Sequence, residues 1–205
     1  MTRMLAVAAA FIVILALGTT TWLVLGRSGT DRFAQCREGR VAGGAAAIGG
    51  PFSLVRDDGV RVSEAEVIDR PTLIYFGYTF CPDVCPLDMA RNGQAIDILR
   101  ENGMDVGLAM VSVDPERDTP EVIGEYVKWM HPDAVGLTGS TEEIEAIKGA
   151  YRVFSAKAGE GEDYLVDHST FTYLMSQDHG FLEFFRRDVE PEAMAARVGC
   201  FVERL

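Results

Sequence analysis

Residues 77–86 read GYTFCPDVCP, in which Cys81 and Cys85 stand four apart and each is followed by proline. A redox dithiol, a metal clip and a structural disulfide can all be built from such a pair. Redox motifs of the C-x-x-C kind keep two residues between their sulfurs, and zinc clips add a second pair or histidines, so three intervening residues make a wider bite. A helix beginning at these residues would set the two sulfurs on one face, one turn apart. The unpaired N–H groups of its first turn would make both thiols ionise more readily than a free cysteine at about 8.5. Thiolates serve metal binding and disulfide exchange alike.

A third ligand has to come from elsewhere, and the chain has three histidines. His131 sits at a helix end beside Pro132, and His179 lies in the turn QDHG; both read as ordinary polar residues. His168, in LVDHSTFTYLM, stands at the start of a strand that would pass beside the cysteine-bearing helix, on a loop that could be mobile. With Cys81 and Cys85 it makes a soft set of two thiolates and one imidazole. Thiolates select Cu(I), a neutral imidazole also tolerates Cu(II), and zinc would want a fourth ligand. Asp83, between the cysteines, and Asp167, beside His168, could orient these ligands, or serve only as helix-start and loop acids.

The elements that must position these groups alternate along the chain. Phe52–Val55 and Val60–Val62 flank RDDG, a hairpin with Gly59 in its turn. PTLIYFGY (71–78) and VGLAMVSV (106–113) are continuous apolar runs that read as buried strands. Between them Pro86 suits the first turn of a helix that Gly103 stops. Thr119 followed by Pro120 opens the next helix, a short strand covers about 135–137, and STEEIEAIKGAYRV begins like a capped helix. FTYLMS (171–176), QDHG and FLEFFRR (181–187) form a second hairpin before an amphipathic C-terminal helix. This order predicts an α/β fold with a mixed sheet flanked by helices, the cysteines lying at the carboxyl end of a strand where such folds place ligands.

No charged residue separates Arg3 from Arg27, so residues 4–25 read as one transmembrane helix, long enough for a hydrocarbon core of roughly 30 Å. A cleaved signal peptide is the alternative, but its apolar stretch is usually about 7 to 15 residues. Arg27, Arg32, Arg37 and Arg40 follow the run and would by charge alone favour the opposite orientation from the one the cysteines ask for. The expected organisation is an anchor (1–26), a Gly- and Ala-rich linker (27–50) and one domain (51–205). Beyond residue 30 the net charge is about −14, from 17 basic and 31 acidic residues, which opposes nucleic-acid binding and suits either solubility or a basic protein face.

YFGYTFCPDVCP, then VSVDPERDTP (111–120), then DHST (167–170), in this order behind a single N-terminal anchor, resemble the Sco/SenC/PrrC family of copper chaperones over about residues 48–204. The resemblance implies a thioredoxin-like (peroxiredoxin-like) fold and a copper site made by Cys81, Cys85 and His168. It further implies a role in assembling the binuclear copper centre of cytochrome c oxidase subunit II, by delivering copper or by reducing that subunit's cysteines. A periplasmic copper donor is then a natural partner, and a bacterial inner membrane with the domain in the periplasm the natural home. A peroxiredoxin would carry Thr and Pro where this chain has Tyr78 and Ile74, and no proline lies between Pro132 and Pro191 to supply the cis-proline of a thioredoxin-like reductase. Cys36 and Cys200 fall outside these motifs; their even count in an exported chain points to a structural disulfide.

Overall fold

The computed structural model describes residues 12–21, 31–38, 48–161 and 163–205, in two compact units, Met1–Gln35 and Cys36–Leu205. In the first unit residues 12–21 are helical (α1). The rest of the run read as an anchor lies outside the described residues, among which no helix is long and apolar enough to cross a membrane.

The second unit is built on a seven-stranded mixed sheet in the order β2-β1-β5-β4-β3-β8-β9. The hairpin of β1 (Ser53–Arg56) and β2 (Arg61–Ser63) turns through Gly59 at φ +80°, a left-handed conformation that costs glycine nothing. A single turn, α2 (Glu64–Val67), follows. β3 (Thr72–Gly77), β4 (Gly107–Ser112) and β5 (Ala134–Thr138) run parallel at the centre, and β1 joins β5 antiparallel. β8 (Thr172–Ser176) joins β3 antiparallel and pairs with β9 (Gly180–Phe185) at the edge.

β3 and β4 are buried at every position, as their uninterrupted apolar sequences require. Alternation sends Tyr75, Met110 and Gly136 to one face, where α3 (Val84–Glu101) and α4 (Pro120–Met130) pack. Phe76 goes to the other, its ring 5.3 Å from that of Tyr151 on α5 (Thr141–Tyr151). Leu73, Ile74 and Phe76 are fully buried, each stabilising the fold by about 1.5–3 kcal/mol relative to exposure. The predicted caps are in place: Thr119 Oγ1 accepts from the Val122 N–H, and Ser140 with Glu143 forms a reciprocal capping box.

The sequence gives little warning of β6 (Ser155–Ala158) and β7 (Leu165–His168), a separate two-stranded hairpin. Its strands are short, and its connection passes through Gly159 and Gly161, both at positive φ. α6 (Pro191–Val202) closes the chain against α3. Cys36 and Cys200 are disulfide-bonded, with Cα atoms 5.6 Å apart. The disulfide expected between the linker and the last helix thus ties residues 36–38 to the domain, where the Arg37 side chain donates to the Leu182 carbonyl, the Glu38 N–H to the buried Glu183 carboxylate, and Arg197 pairs with Glu38.

Candidate metal centre

The cysteines occupy the crossover from β3 to α3, but not as the spacing suggests. Cys81 lies in the connecting loop, while Cys85 is in the first turn of α3, which begins only at Val84. The two sulfurs meet because the loop folds back: the Cys81 N–H donates to the Tyr78 carbonyl at 3.3 Å, and Cys81 Sγ accepts from the Cys85 N–H at 3.3 Å. Cys81 thus caps the helix from outside, with its sulfur doing what a serine hydroxyl does at an ordinary N-terminus. Both thiols are buried and free of disulfides.

His168 is brought in from the end of β7 rather than from a loop opening β8. Its Nδ1 lies 2.9 Å from the Ser169 carbonyl, which can only accept, so Nδ1 carries the proton. That leaves the Nε2 lone pair facing Cys85 Sγ at 3.3 Å. A backbone carbonyl fixing one ring nitrogen so that the other can ligate is the usual arrangement for a metal-binding histidine. The rings of Tyr75 and Tyr78 stand edge-on to the imidazole, with centroids 6.2 and 5.8 Å away. Tyr78 also ties β7 down, its hydroxyl accepting from the Val166 N–H at 3.1 Å.

One ligand atom from each of Cys81, Cys85 and His168 lies within 4.8 Å of the others. Three donors around one ion with bonds of about 2.0–2.3 Å stand roughly 3.5–4 Å apart, so the cluster fits a single ion with small side-chain adjustments. Two sulfurs and one nitrogen suit a soft metal, copper above all.

The thiols divide their protons unequally, where the helix terminus alone would have lowered both. The hydrogen bond from the Cys85 thiol, helped by the Asp83 and Cys85 N–H groups, pulls Cys81 down to about 4 against the effect of burial. Donating to Cys81, and then burial, push Cys85 up beyond the usual thiol range. A buried pair this close holds one shared proton because two adjacent thiolates without a cation repel each other.

Of the two acids singled out beside the ligands, Asp83 precedes α3 with no capping bond from its carboxylate, and its backbone reaches Cys81. Asp167 is exposed on β7, opposite Ala156. The acid under the site is Asp88, buried on α3, which accepts from the Tyr75 hydroxyl at 3.1 Å and lies 3.9 Å from both Arg91 and Arg187. Burial pushes its carboxyl up while Arg91 pulls it down. Its only sequence signal was an acid three residues beyond Cys85, on the same helical face. His131 is buried against Asp97 at 3.2 Å, and His179 lies in the β8–β9 turn; neither is part of the cluster.

A mixed sheet flanked by helices, with a two-cysteine, one-histidine cluster at the carboxyl end of a central strand, defines a thioredoxin-like domain with a candidate metal site. The comparisons with known proteins give it a family: residues 40–203 match the SCO1/SenC family, and the chain belongs to it. It is 46% identical over 201 residues to Protein SenC of Rhodobacter capsulatus, covering 98% of this chain and 90% of that protein. The crystal structure of Arabidopsis thaliana ScoI with copper bound superposes with a TM-score of 0.73 at 46% identity, covering 77% of this chain and 99% of that one. Bradyrhizobium japonicum ScoI with copper bound gives 0.69 at 38% identity, covering 75% of this chain and 98% of that one.

Proposed function

We propose that this protein is a membrane-tethered copper chaperone. It takes up one Cu(I) or Cu(II) through Cys81, Cys85 and His168 and serves assembly of the binuclear copper centre of cytochrome c oxidase subunit II. The convergence of those three donors within 4.8 Å, in a chain whose relatives include copper-bound structures, carries the reading. A periplasmic copper-donor chaperone is the partner on the loading side. The apolar run at 4–25 supports a single-pass home in a bacterial inner membrane, and the Cys36–Cys200 disulfide supports a domain facing the oxidising periplasm. The net charge of −12 argues against a nucleic-acid partner.

Anaerobic Cu(I) titration of the reduced protein, with Cys81→Ser, Cys85→Ser and His168→Ala alongside, tests the reading. One copper per chain, lost with either cysteine, is expected; stoichiometric binding that needs neither cysteine would end it.

The unequal protonation of the thiols favours a second reading, a thiol-disulfide oxidoreductase acting on the cysteines of the same subunit. The Cys81 thiolate would attack the target disulfide, and Cys85, losing its proton, would displace the second target thiol. The chain would be left with a Cys81–Cys85 disulfide for an external dithiol to reduce. His168→Ala separates the two: a chaperone loses Cu(II) affinity and metallation of the oxidase, whereas a reductase keeps its dithiol activity. A copper or redox sensor would use the same three residues.

A further inference from the structure

The VSVDPERDTP stretch supplies no ligand, yet it contains the most completely satisfied buried carboxylate near the metal centre. Asp118, in the loop between β4 and α4, is 0% exposed. It accepts from Thr79 twice, from the N–H at 3.2 Å and from the hydroxyl at 2.6 Å, and from the Ser112 hydroxyl at 2.6 Å. Its own backbone is held on both sides, since its N–H donates to the Asp114 carbonyl at 3.0 Å and its carbonyl accepts from Thr138 Oγ1 at 2.8 Å. Thr79 is two residues before Cys81. Around Cys81 the loop is open to solvent: Phe80, Pro82 and Asp83 are all exposed while Cys81 is buried. An exposed loop does not hold a buried sulfur in place by its own packing. The Cys85 N–H holds the sulfur itself, and the approach to Cys81 is fixed by its turn back to Tyr78, by Arg117 over the Phe80 ring at 4.5 Å and by the grip of Asp118 on Thr79.

We propose that Asp118 is a positioning residue for the metal centre: through Thr79 it sets the place from which Cys81 meets Cys85 and His168. The inference rests on the metal-binding reading for its copper consequences but not for its effect on the bare thiol. Ser112 supplies the control, because its hydroxyl bonds the same carboxylate from β4 and its other described partner is the Asp114 N–H, not the cysteine loop. Removing either hydroxyl leaves the buried carboxylate short of one partner, and Ser112→Ala also strips the Asp114 N–H of its acceptor, so Ser112→Ala should cost at least as much stability as Thr79→Val. Only Thr79→Val loosens the loop, through the one bond it removes.

The experiment uses the full-length chain with Cys36–Cys200 intact and Cys81 and Cys85 reduced. Asp118→Ala, Thr79→Val, Thr79→Ser and Ser112→Ala are compared by melting temperature, competitive Cu(I) affinity, the thiolate-to-Cu(II) absorption band and the alkylation rate of Cys81 without metal. Asp118→Ala and Thr79→Val are expected to weaken Cu(I) binding by about tenfold, the equivalent of one charge-assisted hydrogen bond, and to shift the absorption band. Combining them should weaken binding no further than Asp118→Ala alone, because that change already removes both bonds to Thr79. Thr79→Ser restores the hydroxyl and should return affinity to within about twofold of the parent, while Ser112→Ala lowers the melting temperature and leaves both copper signatures unchanged. Thr79→Val leaving copper affinity and the absorption band as unchanged as Ser112→Ala does would overturn the proposal. Were the parent chain to bind no copper, the metal-binding reading would fall and the alkylation rate would decide alone: a change in Asp118→Ala and Thr79→Val but not in Ser112→Ala supports positioning, and no change refutes it.

Discussion

The unequal thiols predict an unusual pH profile for Cys81. At pH 7 a thiol with a value of about 4 is essentially all thiolate, whereas an ordinary cysteine near 8.5 is about 3% ionised, so Cys81 gains roughly 30-fold in reactive form. The gain does not become speed. Thiolate nucleophilicity falls with pKa along a slope of about 0.4–0.5, and a fall of roughly 4.5 units costs about 100-fold. Cys81 should therefore react with iodoacetamide at least about threefold more slowly than a free cysteine at pH 7, and its burial slows it further. Its rate should stay flat from pH 5.5 to 8.5, with an inflection near 4. Mass-mapped alkylation of the metal-free, reduced chain across pH 3–9 measures this. Cys85→Ala removes the largest cause of the shift and leaves the amide donors, so the inflection should climb yet remain below 8.5. An inflection above about 7 in the parent, or one that Cys85→Ala does not move, would refute the shared-proton account. Stability follows with a definite sign. The folded value of Cys81 is depressed, so its contribution is present above about 8.5 and lost as pH falls through 4. That of Cys85 is raised, so its contribution is full below about 8.5 and declines as pH rises further. The pair should stabilise the fold most near pH 8.5, and denaturant midpoints against pH, with Cys85→Ala as reference, would show it.

Three other changes follow from the packing. A Cβ at Gly77 would stand 2.7 Å from Tyr75 Cε1, 3.0 Å from Cys85 Sγ and 3.2 Å from Met110 Cε, so Gly77→Ala should cost about 1–3 kcal/mol and weaken Cu(I) binding; full affinity in titration would show that Cys85 can shift freely. Tyr78→Phe leaves the Val166 N–H without its acceptor, at about 1 kcal/mol, and should hasten copper release to a chelator by loosening the strand that carries His168; an unchanged release rate would mean that β7 is held elsewhere. Replacing Cys36 and Cys200 by serine opens a loop of sequence separation 164, for which chain entropy sets a ceiling of about 5 kcal/mol. The measured loss in chemical denaturation should be smaller, because residues near the N-terminal cysteine regain freedom in the folded chain too, and copper affinity should stay within about twofold.

Much of this architecture was readable locally. The β3 and β4 runs, the Thr119 and Ser140 caps and the β1–β2 and β8–β9 turns each depend on neighbours a few residues away, and all are found where periodicity and capping chemistry place them. The β6–β7 hairpin was not readable, since SAKA and LVDH are too short to show an alternation and the pairing is decided by what they pack on.

For the metal centre the division falls between identity and placement. By itself the sequence supplied the candidate donors, because Cys81 and Cys85 stand only four residues apart and, of the three histidines, His168 lies in the DHST stretch before FTYLMS while the other two read as ordinary polar residues. It could not determine that Cys81 lies outside the helix, that the sulfurs share one proton, or that Tyr75, Tyr78, Asp88 and Asp118 stand behind them. Those facts depend on distances between residues separated by 39 positions, as for Thr79 and Asp118, or by 83, as for Cys85 and His168. A hydrogen bond or a shared proton acts over about 3 Å of space, and only the folded chain decides which distant residues come that close.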